Sequence, residues 1–161
     1  MEVIKELLEN RVLWIPVFSW IAAQITKLIV NLLVEHKLEL SRAFGDGGMP
    51  SGHSATVCSL MVMVGWSCGL GSPLFALSAL FAIVVMRDAM GVRREAGKQA
   101  KTIKELTQVL NDMLVGKDKQ IRSEKLKELV GHSPLQVAMG GLLGTAIAVS
   151  AYFIFDLPSV Y

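Results

Sequence analysis

Four apolar stretches, separated by polar or glycine-rich segments, set the plan of this chain. Val12 to Val34 is nearly continuous, interrupted by Gln24, Lys27 and Asn31. Ser54 to Leu70 and Pro73 to Met86 are uncharged and meet at Gly69-Leu70-Gly71-Ser72-Pro73. Leu135 to Phe155 carries no charge over 21 residues. A membrane-spanning helix needs about 20 apolar residues. The first and last stretches reach that length alone, and the middle two read as a hairpin around the Gly/Pro turn. The pattern predicts an all-α integral membrane bundle of about four membrane-embedded helices, at about 12–35, 51–70, 73–88 and 134–156. An amphipathic start (1–11) precedes them, and a polar helical insertion (89–131) separates the third from the fourth. All of it reads as one membrane domain, residues 1–161.

The insertion is not featureless. Ile103, Leu106, Leu110, Met113 and Leu114 recur at helical spacing among Lys and Glu. Ser123 to Val130 reads as a second short helix with Gly131 as its stop. The expectation is a solvated helical hairpin packed on the bundle. Residues 87–131 hold eleven Lys or Arg against seven Asp or Glu, whereas the turn at 69–73 is uncharged. Positive loops stay in the cytoplasm, so the face carrying the loops at 36–50 and 87–131 is expected to be cytoplasmic in a multi-pass protein of the cell membrane.

Composition agrees with that plan. The chain is 52% hydrophobic and its net charge is only +2; no nucleic-acid-binding module is present. The N-terminus mixes Glu2, Glu6 and Glu9 with Lys5 and Arg11 and lacks a small-residue cleavage site, so the first segment is expected to be retained. Cys58 and Cys68 lie about 15 Å apart along one predicted helix, too far to bridge. Gly65/Gly69 and Gly140/Gly144 fit small-xxx-small helix packing.

Three segments carry candidate chemistry. In Gly47-Gly48-Met49-Pro50-Ser51-Gly52-His53-Ser54-Ala55, glycines and a proline lead into an apolar helix. A helix start presents backbone N–H groups and partial positive charge, which suits a phosphate, and His53 beside it is able to move a proton. In Arg87 to Gln99, Asp88 falls at a helix C-terminus, where its charge is disfavoured. Arg93 or Arg94 is the expected compensating partner, and their planar guanidinium groups suit phosphate oxygens. In Gly131-His132-Ser133-Pro134-Leu135-Gln136, a second histidine sits at a second helix start on the same side, and Gln136 follows one turn later. On the first helix, Gln24, Lys27 and Asn31 share a face, and a Lys so far inside a span marks an interior polar site. His36 reads as interfacial.

Pro50-Ser51-Gly52-His53, the Asp88–Gln99 segment and Gly131–Val137, taken in this order, resemble the type-2 phosphatidic acid phosphatase superfamily, which also contains vanadium-dependent haloperoxidases. The whole chain resembles its short, divergent branch. The resemblance implies a metal-free and cofactor-free phosphatase. His132 would attack phosphorus to form a phosphohistidine, and His53 would protonate the leaving alcohol and then help water hydrolyse the intermediate. Ser51 and Gly52 would hold phosphate oxygens, with Lys27, Arg42, Arg93 and Arg94 supplying positive charge. Gln136 and Asp88 would orient the nucleophile.

The chain also departs from the superfamily pattern. Lys27 and Lys37 lack the Arg-Pro partner of the first motif, so Arg42 stands in for it. Leu126 occupies the place of a motif arginine, and Gln136 that of an acid. The expected substrate is a lipid or prenyl phosphate taken from the bilayer, and a homodimer is one way to complete a bundle with fewer spans than the usual membrane phosphatases. The competing reading is a protein that binds or transports such a lipid without cleaving it. A third is a membrane scaffold that recruits a cytosolic partner through residues 98–131.

Overall fold

Pro, Ser and Gly punctuate the apolar runs, and the helices begin and end at those residues. The computed structural model describes residues 1–35, 48–113 and 131–155. In order these are α1 (Glu2–Glu9), α2 (Arg11–Glu35), α3 (Gly52–Cys68), α4 (Pro73–Met90), α5 (Val92–Met113) and α6 (Pro134–Phe155). The described residues contain no strand. The hairpin between α3 and α4 forms as its sequence predicts. Gly69 takes a positive φ of 85°, and the hydroxyl of Ser72 accepts from Phe75 N–H at 3.1 Å with Pro73 opening the helix. Both cysteines are free thiols.

α3 is the axis of the bundle, packed against α2, α4 and α6. Its contact with α6 is the closest. A methyl group on Gly140 would collide with the backbone of Ser51, and one on Gly144 with the backbone of Ala55. The small-residue pair thus lets two helices meet backbone to backbone. The contact with α2 is polar in part: buried Ser19 and Ser59 share a hydrogen bond at 3.0 Å. Below it, Ile15, Met63, Ala148 and Ala151 form an apolar cluster. At that end, Arg11 donates to the carbonyl of Phe155 at 3.0 Å, capping the end of α6 with a cation.

Among the described residues, three apolar stretches are long enough to cross a membrane: Arg11–Leu33, the Pro73–Met113 stretch that begins with α4, and Pro134–Phe155. Their outer faces carry large exposed side chains such as Phe18, Ile25, Leu77, Phe81 and Leu142, while Ala, Ser and Gly fill the interior. That distribution suits lipid outside and close helix packing inside. The fourth expected span, α3, has 17 residues, about 25 Å of helix. It is the helix most enclosed by the others.

The first half of the insertion lies within the described residues. α5 follows α4 after Gly91 alone, and its apolar stripe of Ile103, Leu106, Leu110 and Met113 is exposed. Among the described elements its main interface is with α4, and its first turn lies against Gly131. The second short helix expected over 123–130, His36 and the 36–47 part of the first loop lie outside the described residues.

Candidate functional site

The starts of α3 and α6 meet at the end of the bundle where α2 and α4 finish. Three backbone contacts hold them there. Ser51 N–H donates to Gln136 C=O at 3.0 Å, joining the two helix starts. His132 N–H donates to Ala89 C=O at 2.9 Å, tying the second start to the end of α4. Gly131, with φ of 93°, packs so closely on the backbone of Arg93 and Arg94 that no side chain would fit. The Arg87–Gln99 segment and the His132 segment, separate in sequence, are therefore one structural unit.

The imidazoles of His53 and His132 lie edge to face, with ring centroids 5.7 Å apart and planes at 82°. His132 is buried, at 1% exposure, and His53 is half-buried. α2 closes the site from the side. Lys27 is only 3% exposed, and its aliphatic stem lies against Gly48, where a methyl would come within 3.2 Å of Cδ. Gln24 and Trp20, one and two turns back on the same face, flank Gly52. The interior position expected for Lys27 is therefore what the fold gives it. Its face is shared by Trp20, which the polar pattern of Gln24, Lys27 and Asn31 did not point to.

Two expected residues take other parts. Ser51 is fully buried, and its hydroxyl serves the helix as N-cap, accepting from Ser54 N–H at 3.4 Å and bonding Ser54 Oγ at 3.1 Å. Its side chain thus builds the helix start instead of projecting from it. Gln136 was expected to orient His132. Instead its Oε1 accepts from Ser133 N–H at 2.9 Å, while Ser133 Oγ accepts from Gln136 N–H at 3.3 Å. This is a reciprocal capping box, and the Ser133-Pro-Leu-Gln136 spacing was its sequence signal. Gln136 fixes His132 through the adjoining backbone.

Asp88 is bound as expected, by Arg93 Nε at 2.9 Å; Arg94 is exposed. Arg42 lies outside the described residues. The others converge on one end of the bundle: two imidazoles, a buried ammonium, two helix starts and an arginine–aspartate pair. Helix-start N–H groups and cationic side chains are the kinds of donor that suit an anion with several oxygens.

The sequence profile of the divergent PAP2 family matches residues 8–147, a span that includes both histidine segments, α2 to α5 and the first part of α6. The chain belongs to the divergent PAP2 family. A relative in Bacillus subtilis (strain 168), described as the uncharacterized membrane protein YuiD, is 43% identical over 156 residues, covering 92% of this chain and 98% of that protein. No solved structure matches the fold. Within the divergent PAP2 family chain described here, the resemblance read from Pro50–His53, Asp88–Gln99 and Gly131–Val137 is thus supported over nearly the full length.

Proposed function

We propose that this protein is a membrane phosphatase that hydrolyses a lipid or prenyl phosphate through a phosphohistidine. The observation that carries the reading is the pair of imidazoles, 5.7 Å apart, set between two converging helix starts beside a buried lysine. The phosphate binds with its oxygens toward the first-turn N–H groups of α3 and the ammonium of Lys27. A nitrogen of His132 attacks phosphorus, and the bond to the ester oxygen breaks as His53 gives that oxygen a proton. The alcohol leaves. His53, now neutral, takes a proton from water as the water attacks phosphorus, which breaks the P–N bond and releases inorganic phosphate. Positioning and charge stabilisation carry most of the work in such transfers. In this reading α3 is a fourth crossing, the site faces the cytoplasm behind the basic stretch that begins at Arg87, and no cofactor takes part.

The test is phosphate release by detergent-purified protein from a panel of lipid and prenyl phosphates. His132→Ala is expected to abolish release, and His53→Ala to lower it by about a hundredfold or more. Release at the wild-type rate from His132→Ala would eliminate the mechanism. One observation favours a second reading. Gln136 stands where the superfamily places an acid after the nucleophilic histidine, and its side-chain oxygen caps a helix. A protein that binds the phosphate lipid and carries it without cleavage would bind the same panel and release nothing.

A further inference from the structure

Two polar side chains of α2 are tied down within the fold. Ser19 Oγ bonds Ile15 C=O and Ser59 Oγ, both at 3.0 Å, and Thr26 Oγ1 donates to Ala22 C=O at 2.8 Å. Gln24, between them, is different. Its Oε1 is closed off from solvent and accepts no hydrogen bond among the described residues. Its amide lies against the start of α3, where a Cβ on Gly52 would stand 3.7 Å from Nε2. The buried Lys27 follows one turn later on the same face. A buried acceptor without a donor is destabilising, and in a native fold it marks a place that water or a ligand completes.

The groups around Gln24 are chiefly donors. Lys27 offers N–H groups and no acceptor, and a helix start offers backbone N–H groups. Three acceptors at this end of the bundle are already engaged: Asp88 Oδ2 by Arg93, Gln136 Oε1 by Ser133 N–H and Ser51 Oγ by Ser54 N–H. We infer that Gln24 Oε1 accepts the hydrogen of a P–OH group, and so selects a terminal phosphate that keeps one hydrogen over sulfate and over phosphate diesters. At neutral pH hydrogenphosphate and sulfate share their shape and charge and differ by that hydrogen. Sulfate would set a bare oxygen against Oε1, lone pairs facing lone pairs. A monoester is able to keep one P–OH, whereas a diester has none to offer. The same hydrogen is carried by the free ion and by a monoester headgroup. The inference rests on the phosphate-binding reading of the site, and not on cleavage.

The experiment measures binding to the detergent-purified full chain through the unfolding midpoint, at constant ionic strength. One pair of ligands is phosphate and sulfate at neutral pH. The other is phosphatidic acid and its methyl diester, phosphatidylmethanol, at mildly acidic pH, where both lipids carry one charge. The wild type is expected to bind the P–OH member of each pair about tenfold or more tightly. Gln24→Met should close that gap to within about twofold, by weakening the P–OH ligand alone. Without ligand it should unfold no earlier than the wild type, since it removes an unsatisfied acceptor. Gln24→Glu should keep the preference, because a carboxylate still accepts, while Lys27→Met should weaken both members alike. Selectivity in the lipid pair alone would place the P–OH on a headgroup; selectivity in both would extend it to any terminal phosphate. Equal binding within both pairs, or an equal loss of both members in Gln24→Met, would overturn the inference and leave a phosphate site. Binding of none of the four would remove the phosphate-binding reading together with it.

Discussion

Gln136 shows how one side chain changes meaning when its neighbours are known. Read along the sequence, it stands where a histidine-orienting acid would be, one turn after His132. In the fold it completes a reciprocal cap with Ser133, and its backbone carbonyl holds Ser51. Gln136→Ala is therefore expected to lower stability by about 1 kcal/mol through the lost cap. Gln136→Glu keeps the cap and places negative charge at a helix N-terminus, so it should hold or raise stability by a few tenths of a kcal/mol. The thermal unfolding midpoint in detergent reads both, and a large loss in the Glu variant would contradict the capping role. Lys27 was readable in advance because a charge inside an apolar run has few places to go. Gln136 was not, because glutamine caps and glutamine hydrogen-bonds to imidazole look alike until the donor is seen.

Among the elements, α3 and α6 depend on each other most. Gly140 and Gly144 leave no room for a side chain against the carbonyl oxygens of Ser51 and Ala55. Gly144→Leu is expected to push the helices apart and to destabilise the fold by about 1–3 kcal/mol. The same displacement would separate His53 from His132, so activity should fall further than the loss of folded protein accounts for. Gly71→Ala, in an exposed turn where a methyl meets nothing within 4 Å, should leave both unchanged. Comparing unfolding midpoints and phosphate release per folded molecule checks this. The helix ends were predictable to within a few residues because Ser72-Pro73 and Ser133-Pro134 are strong start signals. The partner of each helix was not, since apolar periodicity says which side of a helix is buried but not against what. The stripe of α5 is the clearest example: its spacing was readable in the sequence, and the exposure of Ile103, Leu106, Leu110 and Met113 was not.

At the scale of the whole molecule, α3 and α6 run parallel with their starts at one end, and α2 and α4 run opposite with their ends there. That arrangement was implied by two histidine segments lying an even number of crossings apart. It also has a thermodynamic consequence. Two helix starts and the Lys27 side chain gather there, and a multivalent anion that binds them in the folded state has no such site in the unfolded chain. Phosphate or vanadate should therefore act as a folding ligand, raising the melting temperature with the logarithm of its concentration, by about 2.7 kcal/mol at a hundredfold excess over its dissociation constant. Chloride should do far less, and Lys27→Met should flatten the dependence. A melting temperature indifferent to phosphate would mean that no anion site exists at that end. With the site present, the supply of inorganic phosphate sets how much of this protein survives heating, whether or not it ever turns over a lipid.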